Sequence, residues 1–401
     1  MTFPTITPNR LAIKLKPAAE RMVKKGHPWV FDEGIVKQNA EGKSGDLAII
    51  YDQRKNKFLA CGLYDPDSPI RIKIIHHGSP IQINRDFFGV KIADAQAIRK
   101  PLLETDTNSY RLIYGENDGF PGLIADVYAE VLVIKLYSLI WLPYFNDILE
   151  HLVRVSSCKT AVLRLSRQLQ NNKLGLSDGQ VIHGKLADEV VIFREHGLSF
   201  AANVVHGHKT GYFLDHRHNR KRVGSLAKGK TVLDVFAYAG GFSVHALVGG
   251  ATEVTSLDIS EQALSMATQN ASLNSHVGTH KVMAIDAFEG LDDLIGERKR
   301  FDIVVIDPPS FAKRAKEIEK AKYSYKRLAT LGARLVRKGG ILVLASCSSR
   351  IDVATFFDIS EEGIASACHS YQRIEQTYHD TDHPITFPEG AYLKCGYWRL
   401  D

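Results

Sequence analysis

Two side chains in the last third of the chain could take part in covalent chemistry, and each follows a predicted buried strand. Asp307 follows the strand 301–306 and opens the segment Asp-Pro-Pro-Ser-Phe, and Cys347 follows the strand 340–345 between two serines. A thiol at a strand end, flanked by hydroxyls, could act as a thiolate nucleophile. The alternative is a small buried hydrophobic side chain, which is what we expect of Cys61, Cys158, Cys368 and Cys395.

The segment that begins at Asp307 combines an acceptor with a stiff backbone. Pro308 and Pro309 fix the backbone and remove N–H donors, so the carboxylate and the following carbonyls are held rigidly. Such a turn could present acceptors to a nucleobase amine, and Phe311 could pack on the base. The plainer interpretation is a stiff loop after a strand.

A possible cofactor site lies earlier, where the strand 231–235 runs into a turn of small residues. Asp234 lies in that strand, and Phe236, Ala237 and Gly240 belong to the turn. A strand that feeds such a turn and then a helix brings backbone close to a ligand. The phosphate-binding pattern G-x-G-x-x-G is absent, which disfavours the competing interpretation, a nicotinamide cofactor.

Further acids follow the next two predicted strands. Asp258 ends the second strand at an offset close to the ~20 residues at which an acid binds ribose hydroxyls, and Asp286 ends the third. Each alone could be a helix N-cap, but three acids at successive strand ends favour a ligand site. The predicted cofactor residues are Asp234, Phe236, Ala237, Gly240, Asp258, Ile259, Asp286, Ala287 and Asp307.

The elements that position these residues fall into three predicted regions. Residues 1–76 contain short strands and one helix at 18–25, which indicates a small β domain. Residues 77–196 mix helices at 86–103 and 141–155 with strands, which indicates an α+β domain. From 197 to 401 strands and helices alternate, as in a parallel sheet with crossover helices.

Composition sets broader limits on the class of protein. The chain has 401 residues, 44% of them hydrophobic, and a formal net charge of +6, so it can bury several cores and carries a mild basic excess. Its start has no signal-peptide pattern and no apolar run is long enough for a bilayer, from which we expect a cytoplasmic protein with no membrane partner. Basic stretches at 14–25 and 313–327 could contact phosphate, although a solvated helix face is the simpler interpretation.

The motifs together resemble one family along nearly the whole chain. The segments that carry the resemblance are His27-Pro-Trp-Val-Phe31, Gly62-Leu-Tyr-Asp-Pro66, Asp118-Gly-Phe-Pro-Gly-Leu-Ile124, Glu195-His-Gly-Leu-Ser-Phe200, Lys209-Thr-Gly-Tyr-Phe-Leu-Asp215 and Ser346-Cys-Ser348. Their joint occurrence in this order resembles the large-subunit ribosomal RNA methyltransferase I family, which makes 5-methylcytosine.

The resemblance implies a fold and a chemistry. The fold would be a PUA domain, a mixed middle domain and a class I Rossmann-like domain that binds S-adenosylmethionine, in a homodimer that acts on ribosomal RNA. Cys347 would attack carbon 6 of a cytosine and Asp307 would hold or protonate the ring edge. Tyr212 and Asp215 are expected to contact the cofactor. The residues expected to contact RNA are Lys209, Arg217, Pro308, Pro309, Phe311 and Lys313.

Two positions depart from the family pattern. Many RNA cytosine-5 methyltransferases carry a second cysteine after Asp-Pro-Pro, where this chain has Ser310, so the base that removes the carbon-5 proton is unassigned. Relatives often have Gln where this chain has His216. The pairs His206/His208 and His216/His218 could suggest a metal, but the sequence shows no cysteine or carboxylate set to complete a site, so we expect none.

Two other functions stay open at this stage. Asp-Pro-Pro before an aromatic residue also serves methylation of exocyclic amines, in which Cys347 would have no part. The chain could also be an RNA-binding assembly factor that keeps the fold without turnover.

Overall fold

The chain folds into two compact units that each contain several separate stretches of sequence. The computed structural model describes residue 3 and residues 6–172, 174–312 and 314–401. The first unit comprises Met1–Arg194, Ala202–Leu214 and Thr381–Gly390, and the second Glu195–Ala201, Asp215–Asp380 and Ala391–Asp401. The predicted domain boundaries after residues 76 and 196 stay a prediction.

The first sheet of the first unit confirms the predicted β region. Its six strands lie in the order β2-β6-β5-β4-β1-β3 and are antiparallel except for β1 and β4. The elements are β1 (Arg10–Leu15), α1 (Pro17–Lys24), β2 (Trp29–Val30), β3 (Ile35–Gln38), β4 (Leu47–Tyr51), β5 (Phe58–Tyr64) and β6 (Ile72–His77). Alternating buried residues such as Leu11, Ile13 and Leu15 of β1 form its core.

A second sheet of this unit has the order β11-β10-β9-β8-β7, with β9 and β10 parallel. Its elements are α2 (Arg85–Leu103), β7 (Ser109–Tyr114), β8 (Leu123–Tyr128), β9 (Val131–Leu136), α3 (Phe145–Ser156), β10 (Thr160–Leu165) and β11 (Gln180–His183). The predicted α-helix at 141–155 is correct only from Phe145. Residues Leu139–Tyr144 form a 3₁₀ turn, since Pro143 lacks an N–H and disfavours α-helical backbone before it.

A two-stranded ribbon, β12 (Val190–Glu195) and β13 (Leu198–Asn203), precedes the alternating region. The second unit then confirms the predicted alternation. It contains α4 (Arg217–Leu226), β14 (Thr231–Val235), α5 (Gly241–Val248), β15 (Glu253–Asp258), α6 (Glu261–Ser272), β16 (Thr279–Ala284), α7 (Ala287–Gly296), β17 (Phe301–Ile306), α8 (Ile318–Leu335), β18 (Val336–Ser346), α9 (Val353–Ala365), β19 (Tyr371–Thr377) and β20 (Lys394–Leu400).

The sheet of the second unit has the order β16-β15-β14-β17-β18-β20-β19. The first five strands are parallel, whereas β20 is antiparallel to both neighbours. Central strands such as β14 and β17 are nearly continuous apolar runs, because helices cover both faces of a parallel sheet. The chain order reverses at β14, so the strand ends beside β14 and β17 form the crevice where such sheets bind ligands.

None of the helices in the described part of the chain combines the length and apolarity that crossing a bilayer requires.

Candidate active site

The carboxyl ends of the parallel strands in the second unit carry the predicted reactive groups. Asp234 is the penultimate residue of β14, Asp258 ends β15, Asp307 follows β17 and Cys347 follows β18. In the ladder Asp234 is opposite Ser256 of β15 and Val305 of β17, and Ile306 is opposite Leu344 of β18. Hydrogen-bonded neighbours therefore bring these side chains to one edge of the sheet.

Cys347 and Asp307 lie together, as the sequence predicts. The Cys347 Sγ is 3.9 Å from the Asp307 Oδ1, and both side chains are partly exposed. The cysteine can therefore be reached from solvent, unlike Cys61, Cys158 and Cys395, which are buried. Cys368 is also partly exposed, so the prediction that it is buried is wrong; its Sγ donates to the carbonyl of Ser370 at 3.0 Å.

A third group at this point, His216, was not predicted to take part. Its Nε2 lies 3.7 Å from the Cys347 Sγ and 3.4 Å from the Asp307 Oδ1, and its side chain is only 3% exposed. The ligand atoms of His216, Asp307 and Cys347 thus lie within 4.8 Å of one another. From the sequence, no cysteine or carboxylate set was expected near the histidines. The one signal in the sequence was that His216 departs from the family pattern that the resemblance implies.

Lys394 holds the backbone that follows the cysteine. This buried residue at the start of β20 donates from its Nζ to the carbonyls of Ser348, Ile351 and Tyr392. Burial lowers the pKa of Lys394 to about 8, and the electrostatic influence of Cys347 opposes that shift. Its charge and hydrogen bonds therefore act on the segment that carries Cys347.

The turn after β14 has a strained backbone. Phe236 and Tyr238 both adopt left-handed backbone, with φ of 65° and 48°, and Gly240 has φ of 74°. Non-glycine residues in this region are uncommon and cluster at functional sites. A Cβ on Gly240 would lie 2.8 Å from the Cβ of Ala267, so this glycine is needed for close packing against α6.

Asp234 is buried beneath this turn with half of its carboxylate unused. Its Oδ2 accepts from the backbone N–H and the hydroxyl of Ser243, while Oδ1 has no hydrogen-bond partner among the described residues. Burial raises the pKa of Asp234 to about 7, although both Ser243 hydrogen bonds oppose the shift. A buried carboxylate oxygen without a donor is costly, so this atom fits a ligand that supplies one.

The other two predicted cofactor acids also accept backbone hydrogen bonds. Asp258 accepts from the N–H groups of Tyr238 and Ser260, at 2.9 Å each, and Asp286 caps α7 by accepting from Phe288 and Glu289. Both side chains remain partly exposed. Beside them, Ile259 is 72% exposed and Ala287 is buried as the first residue of α7.

The predicted base-contacting residues differ in exposure. Pro308 is buried, Pro309 is exposed, and Phe311 is half-buried with its ring 5.1 Å from that of Tyr325, edge to face. The Tyr325 hydroxyl accepts from Ser346, the residue before Cys347. Lys313 lies outside the described residues.

The residues that precede and begin α4 are interior. Arg217 has no exposed surface, and its guanidinium lies 3.6 Å from Glu195 and 3.5 Å from Asp380, so the structure does not bring it to a surface where RNA could be contacted. Asp215 is buried and accepts from the Tyr392 hydroxyl at 2.6 Å.

Lys209 and Tyr212 belong to the first unit. Tyr212 is buried, with its backbone N–H donating to the Tyr128 hydroxyl and its ring against Phe193. Lys209 is exposed, with its Nζ 4.4 Å from the centroid of the Phe213 ring. Their predicted contacts to cofactor or RNA stay predictions.

Comparison with known families agrees with the fold. Residues 123–394 match the family described as S-adenosylmethionine-dependent methyltransferase, and residues 13–77 match a PUA-like domain. A Deinococcus radiodurans protein named ribosomal RNA large subunit methyltransferase is 42% identical over all of both chains. A Shewanella denitrificans protein named ribosomal RNA large subunit methyltransferase I is 36% identical over 96% of this chain and 98% of its own.

Solved structures share the fold. One, a methyltransferase complexed with SAH, has a TM-score of 0.82 at 22% identity, covering 98% of this chain and 100% of its own. Another, a SAM-dependent methyltransferase from Streptococcus mutans, has a TM-score of 0.81 at 21% identity, covering 97% of this chain and 100% of its own.

The fold, the acids at the strand ends and the family match define a class I S-adenosylmethionine-dependent methyltransferase with an N-terminal PUA-like domain. S-adenosylmethionine is accordingly its cofactor. The chain belongs to the ribosomal RNA large subunit methyltransferase I family.

Proposed function

We propose that this protein methylates carbon 5 of a cytosine in large-subunit ribosomal RNA, with Cys347 as the covalent nucleophile. The names of the relatives support the RNA substrate. The observation that carries the covalent mechanism is the Cys347 Sγ, accessible and 3.9 Å from the Asp307 carboxylate at the end of the neighbouring strand. A methyltransferase acting on an exocyclic amine would need the carboxylate but not the thiol.

The proposed cofactor contacts follow from the Asp234 oxygen that has no donor among the described residues and from the partial exposure of the other two acids. The free Oδ1 of Asp234 suits a cationic amine, and the partly exposed Asp258 and Asp286 suit ribose hydroxyls and the adenine amino group. Phe236, Ala237 and Gly240 form the turn against which the ligand would lie, and Ile259 could pack on the adenine. S-adenosylmethionine supplies an electrophilic methyl group when it is bound.

The residues at the two strand ends account for proton and electron movement at the base. The Cys347 thiol gives its proton to Asp307, and the sulfur forms a bond to carbon 6 of the cytosine. Asp307 passes that proton to ring nitrogen 3, so the electron pair of the former 5,6 double bond becomes available at carbon 5 for methylation. Loss of the carbon-5 proton to water then restores the 5,6 double bond and expels the sulfur as a thiolate. Nitrogen 3 returns its proton to Asp307, which passes it back to the sulfur.

The target base must leave any helix to reach this site. Phe311 is half-exposed and could stack on the base, and the carbonyls that follow Asp307 are held by Pro308 and Pro309 as acceptors for its amine. Lys209 and Lys313 are proposed to contact RNA phosphates. A homodimer, which the family resemblance implies, also stays a prediction, and sedimentation velocity of the full chain tests it.

The experiment uses ribosomal RNA that contains 5-fluorocytosine, together with S-adenosylmethionine. Fluorine replaces the carbon-5 proton whose loss would release the sulfur. The wild-type protein should therefore form an adduct that survives denaturing gels. Cys347→Ser should form no adduct and should lose methylation of ordinary RNA. Cys368→Ser, which changes the other partly exposed thiol, is the matched control and should keep both.

Other outcomes would point to the alternatives. If Cys347→Ser retains methylation, the proposal fails and an amine methyltransferase is favoured. If the wild-type protein binds S-adenosylmethionine in a calorimeter but modifies no position in ribosomal RNA or in precursor particles, a role as an assembly factor is favoured.

A further inference from the structure

The least expected feature of the second unit is the buried imidazole of His216 beside the nucleophile. His216 precedes α4, and its ring packs against that of Phe242 with the centroids 5.7 Å apart. Its Nε2 faces the Cys347 Sγ at 3.7 Å and the Asp307 Oδ1 at 3.4 Å. Because the His216 side chain is only 3% exposed, its ring is held in place beside the sulfur and can interact with it.

The other ring nitrogen determines what Nε2 can do. His216 Nδ1 lies 3.2 Å from the Nδ2 of Asn219, one turn further along α4. The amide orientation of Asn219 is set on its opposite side, where Oδ1 accepts from the hydroxyls of Thr377 at 2.7 Å and Tyr397 at 2.9 Å. The amide nitrogen therefore faces Nδ1 and donates to it.

An imidazole that accepts at Nδ1 carries its proton at Nε2 when it is neutral. The ring then has no lone pair directed at the cysteine, so neutral His216 cannot accept the thiol proton. It can donate a hydrogen bond instead. Asp307 remains as an acceptor for that proton, 3.9 Å from the sulfur.

We infer that His216 donates a hydrogen bond from Nε2 to the Cys347 thiolate, and that Asn219 holds the imidazole in the tautomer that allows it. The inference rests on the proposed function, in which Cys347 is the nucleophile. Before the thiol ionises, the same N–H is directed at the Asp307 carboxylate. Once the proton has moved to Asp307, the N–H stabilises the sulfur anion through a charge-assisted hydrogen bond.

The departure from the family pattern implied by the resemblance, histidine in place of glutamine, then has a chemical explanation. A glutamine side chain at this position also has an N–H donor, so glutamine and Nε2-protonated histidine can make the same hydrogen bond to sulfur. His216 is a catalytic residue in this scheme, because it contacts the reacting atom. Asn219 acts through His216 and is a positioning residue.

Several other ionisable groups surround this site, and a pH profile must be compared against a constant background of them. Asp307 after β17, Tyr325 in α8 and Lys394 in β20 interact with Cys347 itself. Asp234 in β14 and Cys395 in β20 interact with Asp307, and His218 in α4 interacts with His216 and reaches the sulfur only through it. None of these residues is changed in the variants proposed below except His218, which serves as the control.

The test measures the rate at which iodoacetamide alkylates Cys347 as a function of pH, by peptide mass spectrometry on the full chain without RNA. His216→Phe keeps a planar ring against Phe242 but removes the donor, so the profile should move to higher pH and the rate near neutral pH should fall roughly tenfold. His216→Gln keeps a donor and should remain within about threefold of wild type. His218→Gln changes the neighbouring histidine and should leave the profile in place.

Two substitutions of Asn219 test whether this residue fixes the tautomer of His216, because they should shift the alkylation profile of Cys347 in opposite directions. Asn219→Leu removes the amide that fixes the ring, so alkylation near neutral pH should slow. Asn219→Asp offers Nδ1 a carboxylate, which favours the doubly protonated imidazolium, so reactive thiolate should extend to lower pH. General damage to the fold would slow or accelerate both variants alike.

The inference is overturned if His216→Phe retains the wild-type profile while circular dichroism and binding of S-adenosylmethionine are normal, or if both Asn219 variants shift the profile in the same direction. Should His216→Phe misfold, the contrast between the two Asn219 variants decides. Alkylation needs no RNA, so failure here is separate from failure of the proposed function, which the fluorocytosine adduct reports.

Discussion

Asp234 shows at the scale of one residue how a buried carboxylate costs stability. Its carboxylate is buried, one oxygen has no donor among the described residues, and burial raises its pKa to about 7. The folded state therefore binds the proton more tightly than the unfolded chain does. The stability contributed by the protonated group is present below the ordinary pKa of 3.8 and is lost as the pH rises through about 7.

We predict that Asp234→Asn stabilises the ligand-free protein and weakens cofactor binding. The amide cannot ionise, so the free energy of unfolding should rise by about 1 to 3 kcal/mol at pH 8, and by less at pH 5. Affinity for S-adenosylmethionine should fall by at least about tenfold. Urea unfolding at both pH values and calorimetry measure this, with Asp293→Asn, an exposed carboxylate on α7, as the control. Equal effects at the two pH values would contradict the assignment of the shift to Asp234.

At the scale of secondary structure, contacts between elements hold Cys347 and the turn after β14 in place. Cys347 follows β18, and the adjacent antiparallel β20 supplies Lys394, whose ammonium group donates to the backbone carbonyls of Ser348, Ile351 and Tyr392 near Cys347. On the other side of β17, the turn between β14 and α5 is fixed by Gly240 packed on α6. Each arrangement places a functional segment through an element distant in sequence.

Lys394→Met should reduce turnover more than binding. The substitution removes three hydrogen bonds and a nearby positive charge, so the sulfur is less well placed, and kcat should fall roughly ten- to a hundredfold with the KM for RNA changed little. Steady-state kinetics of RNA methylation check this. Lys338→Met alters an exposed lysine of β18 and should keep wild-type kinetics. A loss confined to KM would argue against a positioning role for Lys394.

Gly240→Ala and Gly229→Ala form a matched pair. Both glycines have positive φ, 74° and 70°, so both substitutions introduce backbone strain, but only at Gly240 would the new Cβ meet a neighbour, Ala267 at 2.8 Å, whereas Gly229 has nothing within 4 Å. Gly240→Ala should therefore lower the free energy of unfolding by at least about 1 kcal/mol more than Gly229→Ala. It should also weaken S-adenosylmethionine binding. Thermal unfolding and calorimetry of the two variants measure the difference.

At the scale of the whole molecule, the distribution of positive charge determines which surfaces can bind RNA. The net charge is +6, but the basic residues are not equivalent. On α8 three basic side chains have acidic partners, with Lys326 2.8 Å from Glu362, Lys322 2.9 Å from Glu319 and Arg327 3.0 Å from Asp292. This favours a solvated helix face over phosphate contact for these three residues. On α1, Arg21 is exposed in the region that matches a PUA-like domain.

RNA affinity should fall with salt, and the two basic stretches should contribute differently. Replacing Arg21 and Lys25 by Gln should reduce the slope of log Kd against log salt by roughly 1.4, since each phosphate contact contributes about 0.7 on single strands. Replacing Lys322 and Lys326 by Gln should leave the slope unchanged. Filter binding over a range of salt concentrations measures both. A larger effect from the α8 pair would reverse this assignment.

Sequence patterns determined the type of most elements, because strands and amphipathic helices differ in the spacing of their apolar residues along the chain. The parallel strands of the second unit, the acids at their ends and the pairing of Cys347 with Asp307 all follow from such local signals. The helix predicted at 141–155 was wrong in its first turns, where Pro143 outweighed the apolar spacing.

Contacts between distant residues were decided only by the tertiary structure. His216 is 131 residues from Cys347, and no periodicity links them; packing α4 against the sheet brings the two together. Arg217 is adjacent to His216 in sequence and was predicted to contact RNA, yet it is fully buried with its guanidinium 3.6 Å from Glu195. The chain specifies its elements through local free energies, whereas the partners of each polar side chain depend on which surfaces those elements bury against one another.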